Sequence, residues 1–361
     1  MISKLKKKKL NSIPKNKKIK ILLFLLCFLM IFINGNIKVM YFNSTNLGDN
    51  LNFILLKKIS SKNIDFYDIR LNNKLKTEYE RKMEKLKEIA KTDLLFIGSI
   101  LQVISNWSYI YKSKNNQTKS PFLNLFLKIH NFFHPLIIYG TGFISKKNEN
   151  ESYIRNIKIV AVRGNVTLQR LLKNGIKVSN SVVLADPGLL LPIIFHVNES
   201  TITKKIHELC IIPHYIDKHN ILVKKKIRIN NYFILDINSN PLNFISSLSK
   251  CKRVLSSSLH GLIISDSLGI PNMRFVVSNR IAGGDYKFKD YYSAYGLELP
   301  QKLDLRNTTF TEKKLDIIDK NYKIPIELIK KKQCQLLKNF PYKLNEEFIF
   351  FKKSCHKSIF L

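Results

Sequence analysis

From Asn36 onward the chain alternates short apolar runs with amphipathic segments, and this alternation constrains the fold more than any other feature. Apolar runs such as 37–42 and 157–162 are typical of buried strands. The segments that follow them, such as 50–60 and 166–174, have the spacing of helices packed on one face. Strands that alternate with helices predict an α/β protein with parallel sheets.

The alternation runs through the chain twice. A polar connection with little pattern, 192–205, separates the two series. We therefore predict a Rossmann-like domain over 36–195, a second one over 206–300, and a helical extension over 301–361. Two such halves would face a common cleft with the carboxyl ends of their strands.

The N-terminus differs from the rest. Residues 1–20 form a basic tail with nine lysines and no acidic residue, and an uninterrupted apolar run, 21–33, follows them. This order is typical of a signal anchor or an interfacial helix. Thirteen residues are fewer than the roughly 20 that cross a bilayer. We predict a membrane anchor over 21–35, either single-pass or interfacial.

The charge balance favours anionic partners. The chain has 61 Lys and Arg against 26 Asp and Glu, a formal net charge of +35. No nucleic-acid-binding motif accompanies this charge, so we expect no nucleic acid partner. The five cysteines are scattered without metal-ligand spacing, which predicts reduced structural cysteines and no metal. We also expect no cofactor.

The segment Ser256–Gly261 places hydroxyls, a histidine and a glycine where a strand ends and a helix begins. In an open α/β sheet this is the ligand-binding edge, and the N–H groups at a helix start favour an anion. The serines could equally serve only to cap the helix.

Other polar motifs also follow predicted strands. Gly48, Asp49 and Asn50 come after the first strand, and Arg163 after the strand 157–162. In the second half the equivalent place belongs to His214. A flexible loop with Gly283 and Gly284 follows the last predicted strand.

Taken in order, these motifs resemble the polysaccharide pyruvyl transferase family over about residues 37–300. The segments that carry the resemblance are Gly48-Asp49, Ala161-Val162-Arg163-Gly164, Ala185-Asp186-Pro187-Gly188, Ile212-Pro213-His214-Tyr215, Ser256 to Pro271, and Ser278 to Asp285.

The resemblance implies a glycosyltransferase-B-like fold. It also implies transfer of pyruvate from phosphoenolpyruvate to two hydroxyls of one sugar, which gives a ketal and phosphate. The expected partners are phosphoenolpyruvate and a glycan or lipid-linked sugar.

A donor with a phosphate and a carboxylate needs fixed cations and N–H donors. We expect Arg163 to clamp it, while Ser257, Ser258 and the helix start at Gly261 receive the phosphate.

The reaction also needs an acid for the vinyl carbon and a base for the sugar. We assign the acid to His260 with assistance from His214. Asp49 either positions or deprotonates the acceptor, or caps the next helix. The residues expected to contact the substrates at the loops are Gly48, Asn50, Gly283 and Gly284.

One position departs from the family's pattern. Some members have an arginine two residues before the motif histidine, where this chain has Ser258. Arg253 and Arg280 are the candidates for a replacement cation.

Two other functions remain open. A nucleotide-sugar glycosyltransferase would share the fold, and a membrane-bound binder of anionic polymers would use the charge alone. Because phosphoenolpyruvate is cytosolic and the cysteines are expected to be reduced, we predict a cytosol-facing catalytic domain, with a secretory lumen as the alternative.

Overall fold

The structure is a computed structural model that describes residues 35–41, 47–68, 92–101, 134–146, 156–197, 205–230 and 232–355. The chain divides into two units, residues 1–37 and residues 38–361. No helix in the described ranges is both long and apolar enough to cross a bilayer. The predicted anchor at 21–35 lies outside those ranges.

The first sheet has six strands in the order β2-β1-β3-β4-β5-β6. They are β1 (Ile37–Tyr41), β2 (Ile64–Asp68), β3 (Leu94–Leu95), β4 (Leu136–Tyr139), β5 (Ile157–Val162) and β6 (Val183–Leu184). The pairs from β1–β3 through β5–β6 are parallel. Buried apolar residues on these strands, such as Met40, Leu95 and Ile138, form one core.

The second sheet has five parallel strands in the order β12-β11-β10-β7-β9. They are β7 (Leu209–Ile212), β9 (Tyr232–Ile234), β10 (Val254–Ser256), β11 (Asn272–Val276) and β12 (Leu303–Asp304). A separate core packs on it around Ile211, Leu255 and Phe275. A small parallel pair joins β8 (Ile227–Arg228) to β13 (Phe310–Thr311).

Ten helices are described. They are α1 (Leu47–Ile59), α2 (Asn165–Lys173), α3 (Leu191–Ile194), α4 (Ile221–Lys226), α5 (Pro241–Ser249), α6 (Leu259–Ser267), α7 (Tyr286–Ser293), α8 (Asp316–Asn321), α9 (Ile326–Lys338) and α10 (Glu346–Ser354). The α/β class with parallel sheets is confirmed, and the strands predicted at 37–42 and 157–162 and the helices predicted at 50–60 and 166–174 are found within three residues of those bounds. The sequence pattern also predicts a charged helix at 77–91 and an aromatic, basic segment at 101–134; residues 77–91 and 102–133 lie outside the described ranges.

Both sheets reverse their strand order at an equivalent place. In the first sheet β1 lies between β2 and β3, and in the second β7 lies between β9 and β10. Connections leave in opposite directions on either side of such a point, which opens a crevice at the carboxyl ends of the two central strands. The fold therefore offers two crevices, one at β1 and β3 and one at β7 and β10.

The last helices pack on the first sheet. The Tyr139 hydroxyl at the end of β4 donates to the carbonyl of Leu336 on α9 at 2.5 Å. On the same helix, Lys332 Nζ donates to the carbonyl of Leu184, and Gln333 donates to that of Leu189. Since α9 also packs on α6, it contacts both halves of the molecule.

A second tie between the halves is the packing of α7 on α2. The buried Asp290 on α7 accepts from Arg163 Nε at 2.8 Å and from the backbone N–H of Thr167 on α2. Gly164 lies so close to α7 that a Cβ there would be 1.6 Å from the Asp290 carbonyl oxygen. Because Gly164 has no side chain, α7 approaches closely enough for Asp290 to form the ion pair with Arg163.

Two disulfides correct the prediction of reduced cysteines. Cys210 on β7 is bonded to Cys251, and Cys334 on α9 is bonded to Cys355 at the end of α10. Separations of 41 and 21 residues gave no sign of pairing, since only the tertiary contacts bring the thiols together. The preference for a cytosol-facing domain loses the support of reduced thiols, because disulfides persist in oxidising compartments.

A Gly164→Ala substitution should cost about 3–5 kcal/mol of unfolding free energy, because moving α7 away breaks a buried ion pair. Gly175→Ala is the matched control. Gly175 has φ +75° but nothing within 4 Å of an added Cβ, so its substitution should cost only about 1 kcal/mol. Denaturant unfolding of both variants measures the difference. Equal losses would contradict this account of the interface.

Candidate active site

The two crevices meet in one cavity of about 260 Å³. From the first sheet come Asp49 on α1, Gly98 and Ser99 after β3, Ile144, and Arg163 after β5. From the second half come His214, Tyr215 and Ile216 after β7, Ser258, Leu259 and His260 at the start of α6, and Ala282 and Lys287 at α7. The strand-end residues predicted in both halves thus border a single space.

Arg163 is almost fully buried and anchored on three sides. Its Nε donates to Asp290 Oδ2, its Nη1 to the Ser99 hydroxyl at 3.0 Å, and its Nη2 to the carbonyl of Phe143 at 2.6 Å. A guanidinium has five N–H groups, so one on each terminal nitrogen is left for a ligand. Arg163 is a rigid, preorganised cation at the cavity wall.

Lys287 is a second cation on the wall and was not found from the sequence. It makes no hydrogen bond or ion pair with any described residue, and its Nζ lies 5.6 Å from the Phe288 ring centre. Burial and the charges of Arg163 and Arg274 lower the pKa of Lys287 to about 8, against an opposing effect of Asp49. Nothing in the sequence distinguished this lysine among 61 basic residues.

The cations suggested to replace an arginine at Ser258 are engaged elsewhere. Arg253 pairs with Glu208 and Asp319, outside the cavity. Arg280 donates to the carbonyl of Ile216 and pairs with Asp217. Neither candidate lines the cavity, because each guanidinium is held by its own carboxylate, and Lys287 is the second cation at the cavity wall beside Arg163.

The three serines have separate tasks. The Ser256 hydroxyl accepts from the N–H of Ser258 at 3.0 Å and closes the turn between β10 and α6. The Ser257 hydroxyl accepts from the N–H of His214 at 2.8 Å, which links the ends of β7 and β10. Ser258 precedes α6, makes no side-chain cap and borders the cavity. Helix capping by these side chains is therefore not what the segment does.

His260 lies at the junction of the two halves. A Cβ at Gly48 would lie 1.9 Å from His260 Nδ1, so the glycine makes room for the ring. On the other side, Nε2 is buried without a hydrogen-bond partner and is 3.9 Å from Asp186 Oδ2. Burial, together with the charges of Arg163, Lys287 and His214, lowers the pKa of His260 to about 3.

His214 is also neutral near pH 7, because burial and the charge of Lys287 lower its pKa to about 3. Its Nδ1 accepts from the N–H of Ile216 at 3.3 Å, so the neutral ring carries its proton on Nε2. The ring of Tyr215 lies beside it with centroids 4.5 Å apart, and 40% of Tyr215 is exposed. His214 thus presents a neutral N–H donor beside an exposed aromatic face.

Helix α1 begins at Leu47, three residues before the predicted start. Gly48 and Asp49 therefore lie in its first turn, and Asp49 is not the cap. A carboxylate in the first turn of a helix is stabilised by the helix dipole. Asp49 borders the cavity, which keeps its predicted part in acceptor binding open as a proposal.

Six other predicted site residues do not border the cavity. Gly283 packs on the backbone of Ile144, where a Cβ would be 1.9 Å from the carbonyl oxygen, and Gly261 packs on Ser256. These glycines therefore serve close packing. The residues outside the cavity wall are Gly48, Asn50, Ser257, Gly261, Gly283 and Gly284.

Ser99 was missed as a site residue, although a signal was present. The apolar run in 93–97 is typical of a strand, and the glycine and serine directly after it occupy the same kind of strand end as Arg163. In the described part of the chain, no group of three or more His, Cys, Asp or Glu side chains is arranged to hold a metal ion.

The chain belongs to the polysaccharide pyruvyl transferase family, a family of transferases, whose sequence profile matches residues 46–279. An uncharacterized protein of Acanthamoeba polyphaga mimivirus is 35% identical over 173 residues, which are 46% of this chain and 56% of that protein. The match thus spans little more than half the length of that relative.

A solved structure of a functionally uncharacterized protein from Klebsiella pneumoniae subsp. pneumoniae NTUH-K2044 matches with a TM-score of 0.39 and 14% identity. The match covers 78% of this chain and 97% of the other.

The pKa values of two buried histidines predict that these side chains oppose folding in mild acid. The unfolded chain binds protons that buried His214 and His260 do not, so their contribution to stability is complete above pH 6.5 and is lost as the pH drops toward 3. The buried acids Asp186 and Asp266, whose pKa burial raises to about 6 and about 7, shift stability in the opposite direction over this range. At pH 5 each histidine should cost about 2 kcal/mol. Denaturant unfolding at pH 7 and pH 5 should therefore show a change in His260→Asn that favours the folded state by about 2 kcal/mol relative to the change in the wild type. The same change in both would show that His260 is protonated in the folded protein.

Proposed function

We propose that this protein transfers the pyruvyl group of phosphoenolpyruvate to two hydroxyls of one sugar in a glycan, with release of phosphate. One observation carries the proposal. A small cavity holds a fixed guanidinium and an unpaired ammonium beside two neutral histidines, at the carboxyl ends of the strands in a member of this family. Family membership supports the reaction class, and the cavity supports a small anionic donor.

The cavity chemistry suits phosphoenolpyruvate. At about 260 Å³ it is near the lower end of the roughly 300–1,000 Å³ typical of small-molecule sites. A phosphate and a carboxylate on three carbons need cations that are already in place, which Arg163 and Lys287 supply. The N–H groups at the start of α6 add a further anion-binding element beside Ser258. A nucleotide sugar would need considerably more room.

Donor binding would also prepare the acid. In the free protein burial, reinforced by the charges of Arg163 and Lys287, keeps His260 neutral. A bound phosphate and carboxylate would cancel those positive charges and place negative charge beside the ring, so the pKa of His260 would rise in the complex and favour uptake of a proton. The site would therefore charge its general acid only when the donor is present.

The proposed chemistry then balances. His260 gives a proton to C3 of the donor while the first sugar oxygen bonds to C2, and the vinyl group becomes a methyl group. The second sugar oxygen bonds to the same carbon as the C2–O bond to phosphate breaks, and phosphate leaves with the electron pair. One hydroxyl proton restores the proton on His260, and the other leaves with phosphate.

The acceptor is proposed to lie on the open side of the cavity. The exposed ring of Tyr215 offers an apolar face of the kind that sugars pack against, and the Asp49 carboxylate can orient a sugar hydroxyl by accepting its hydrogen bond. The His214 N–H would stabilise negative charge on the departing phosphate. We therefore assign the glycan to the side bordered by Asp49 and Tyr215.

The direct test incubates the purified full chain with phosphoenolpyruvate and a panel of glycans and lipid-linked sugars. We expect phosphate release only with a suitable acceptor. The product should gain the mass of one pyruvate less one water, as a ketal requires. Turnover of a nucleotide sugar without phosphate release from phosphoenolpyruvate would overturn the proposal in favour of a glycosyltransferase. Binding of anionic polymers without any turnover would favour a non-enzymatic binder.

Replacing Lys287 tests the donor site. Lys287→Met should raise the KM for phosphoenolpyruvate about 10- to 100-fold, the effect expected from losing one charge-assisted contact. Lys289→Met is the matched control on the same helix, because Lys289 is exposed. Initial rates over a range of donor concentrations measure both. An unchanged KM in Lys287→Met would remove this lysine from the donor site.

A further inference from the structure

Asp186 is a fully buried acid that the proposed chemistry has not used. It caps the 3₁₀ turn Pro187–Leu190 after β6, and its Oδ1 accepts from the N–H of Gly188 at 2.9 Å. Its other oxygen, Oδ2, has no hydrogen-bond partner. One carboxylate oxygen, Oδ1, therefore caps the turn, and Oδ2 takes no part in it.

The unpartnered oxygen faces the unpartnered nitrogen of His260. Asp186 Oδ2 and His260 Nε2 are 3.9 Å apart, and both atoms are buried. Buried polar atoms without partners are uncommon, and these two are an acceptor and a potential donor. A movement of about 1 Å would bring them to hydrogen-bond distance. Catalytic hydrogen bonds are often long before the substrate binds.

The position of the other ring nitrogen of His260, Nδ1, is consistent with this pairing. His260 Nδ1 lies beside Gly48 on the opposite side of the ring from Asp186. If Nε2–H points at Asp186, Nδ1 carries the lone pair in the free protein and is the nitrogen that exchanges a proton with ligands. The Asp186 carboxylate thereby determines which ring nitrogen of His260 exchanges a proton.

We propose that Asp186 is the positioning residue of His260: it accepts Nε2–H, fixes the tautomer with Nδ1 as the reactive nitrogen, and stabilises the imidazolium once the donor is bound. The catalytic part of this inference rests on the proposed pyruvyl transfer. The tautomer part does not, since it concerns the free protein.

The charges around the pair agree with this role. The groups that face His260 are Arg163, Lys287 and His214, all of which oppose its protonation, and Asp186, which favours it. Burial raises the pKa of Asp186 to about 6, against the N–H of Gly188 and the charge of Arg163. Asp186 is therefore largely ionised at pH 7 and above, and becomes protonated as the pH falls below 6.

The test replaces the carboxylate with an amide. In Asp186→Asn, the amide oxygen keeps the bond to Gly188 N–H and the amide NH₂ faces Nε2, so the ring should adopt the tautomer with its proton on Nδ1. Nitrogen-15 NMR of the histidine rings in the free full-length protein, with the His260 signal assigned by its absence in His260→Gln, reads the tautomer directly. We expect Nε2–H in the wild type and Nδ1–H in Asp186→Asn.

Turnover provides the second readout. Asp186→Asn should lower kcat by about 10²- to 10⁴-fold, the range seen when a carboxylate that orients a catalytic histidine is lost, with little change in the KM for phosphoenolpyruvate. The acid limb of the kcat/KM profile near pH 6, which reports groups of the free protein, should also disappear. Asp217→Asn is the matched control, because Asp217 is equally buried with one bonded and one unpartnered oxygen. It should leave the His260 tautomer unchanged.

The outcomes separate the two proposals. A proton on Nδ1 of His260 in the wild type overturns the positioning role, whether or not the protein turns over phosphoenolpyruvate. This measurement does not depend on a variant that folds. A full kcat in folded Asp186→Asn overturns it as well. Nε2–H in the wild type and Nδ1–H in the variant, with no phosphate release for any acceptor, supports the positioning role and overturns only the pyruvyl transfer.

Discussion

The buried ion pair between Arg163 and Asp290 is the interaction on which the arrangement of the site depends. It joins the end of β5 in the first sheet to α7, which lies between β11 and β12 of the second sheet in the chain, and both side chains are nearly inaccessible to water. Breaking such a pair by removing one partner costs about 3–5 kcal/mol, because the other charge remains buried. The same pair fixes the guanidinium at the cavity wall and sets α7 so that Lys287 faces the same space. One contact thus supports the junction of the halves and the electrostatics of the site.

The electrostatic state of the empty cavity follows from that arrangement. Burial, together with the charge of Lys287 at both imidazoles and of Arg163 at His260, lowers the affinity of both histidines for protons. In the proposed reaction, an anion with more than one negative charge would offset the two cations and favour protonation of His260. Preorganised charge of this kind costs stability in the free protein and favours a specific ligand. Under the proposal it would also link donor binding to the protonation of His260, and hence to the Asp186 carboxylate behind it.

Much of this site could be predicted from the sequence, because the ends of buried strands can be recognised from the local pattern of apolar and polar residues. Apolar runs followed by a polar residue and a helix located Asp49, Arg163, His214 and His260, and all four border the cavity. The glycines predicted to contact the substrates do not border the cavity. Gly48 and Gly283 are glycines because another residue's atoms occupy the space of a Cβ, and close approach of distant segments leaves no mark on local sequence.

By itself the sequence determined the α/β class, the two series of parallel strands and the polar residues at their ends, because hydrophobic periodicity and strand–helix order are local properties. Tertiary structure alone decided which basic side chains pair with a carboxylate and which face the cavity. Arg253 and Arg280 are held by carboxylates outside the cavity, whereas Lys287 pairs with no carboxylate in the described part of the chain. It also decided that Asp186 faces His260 and that four cysteines pair. These outcomes depend on distances between residues far apart in the chain, which composition and spacing do not encode.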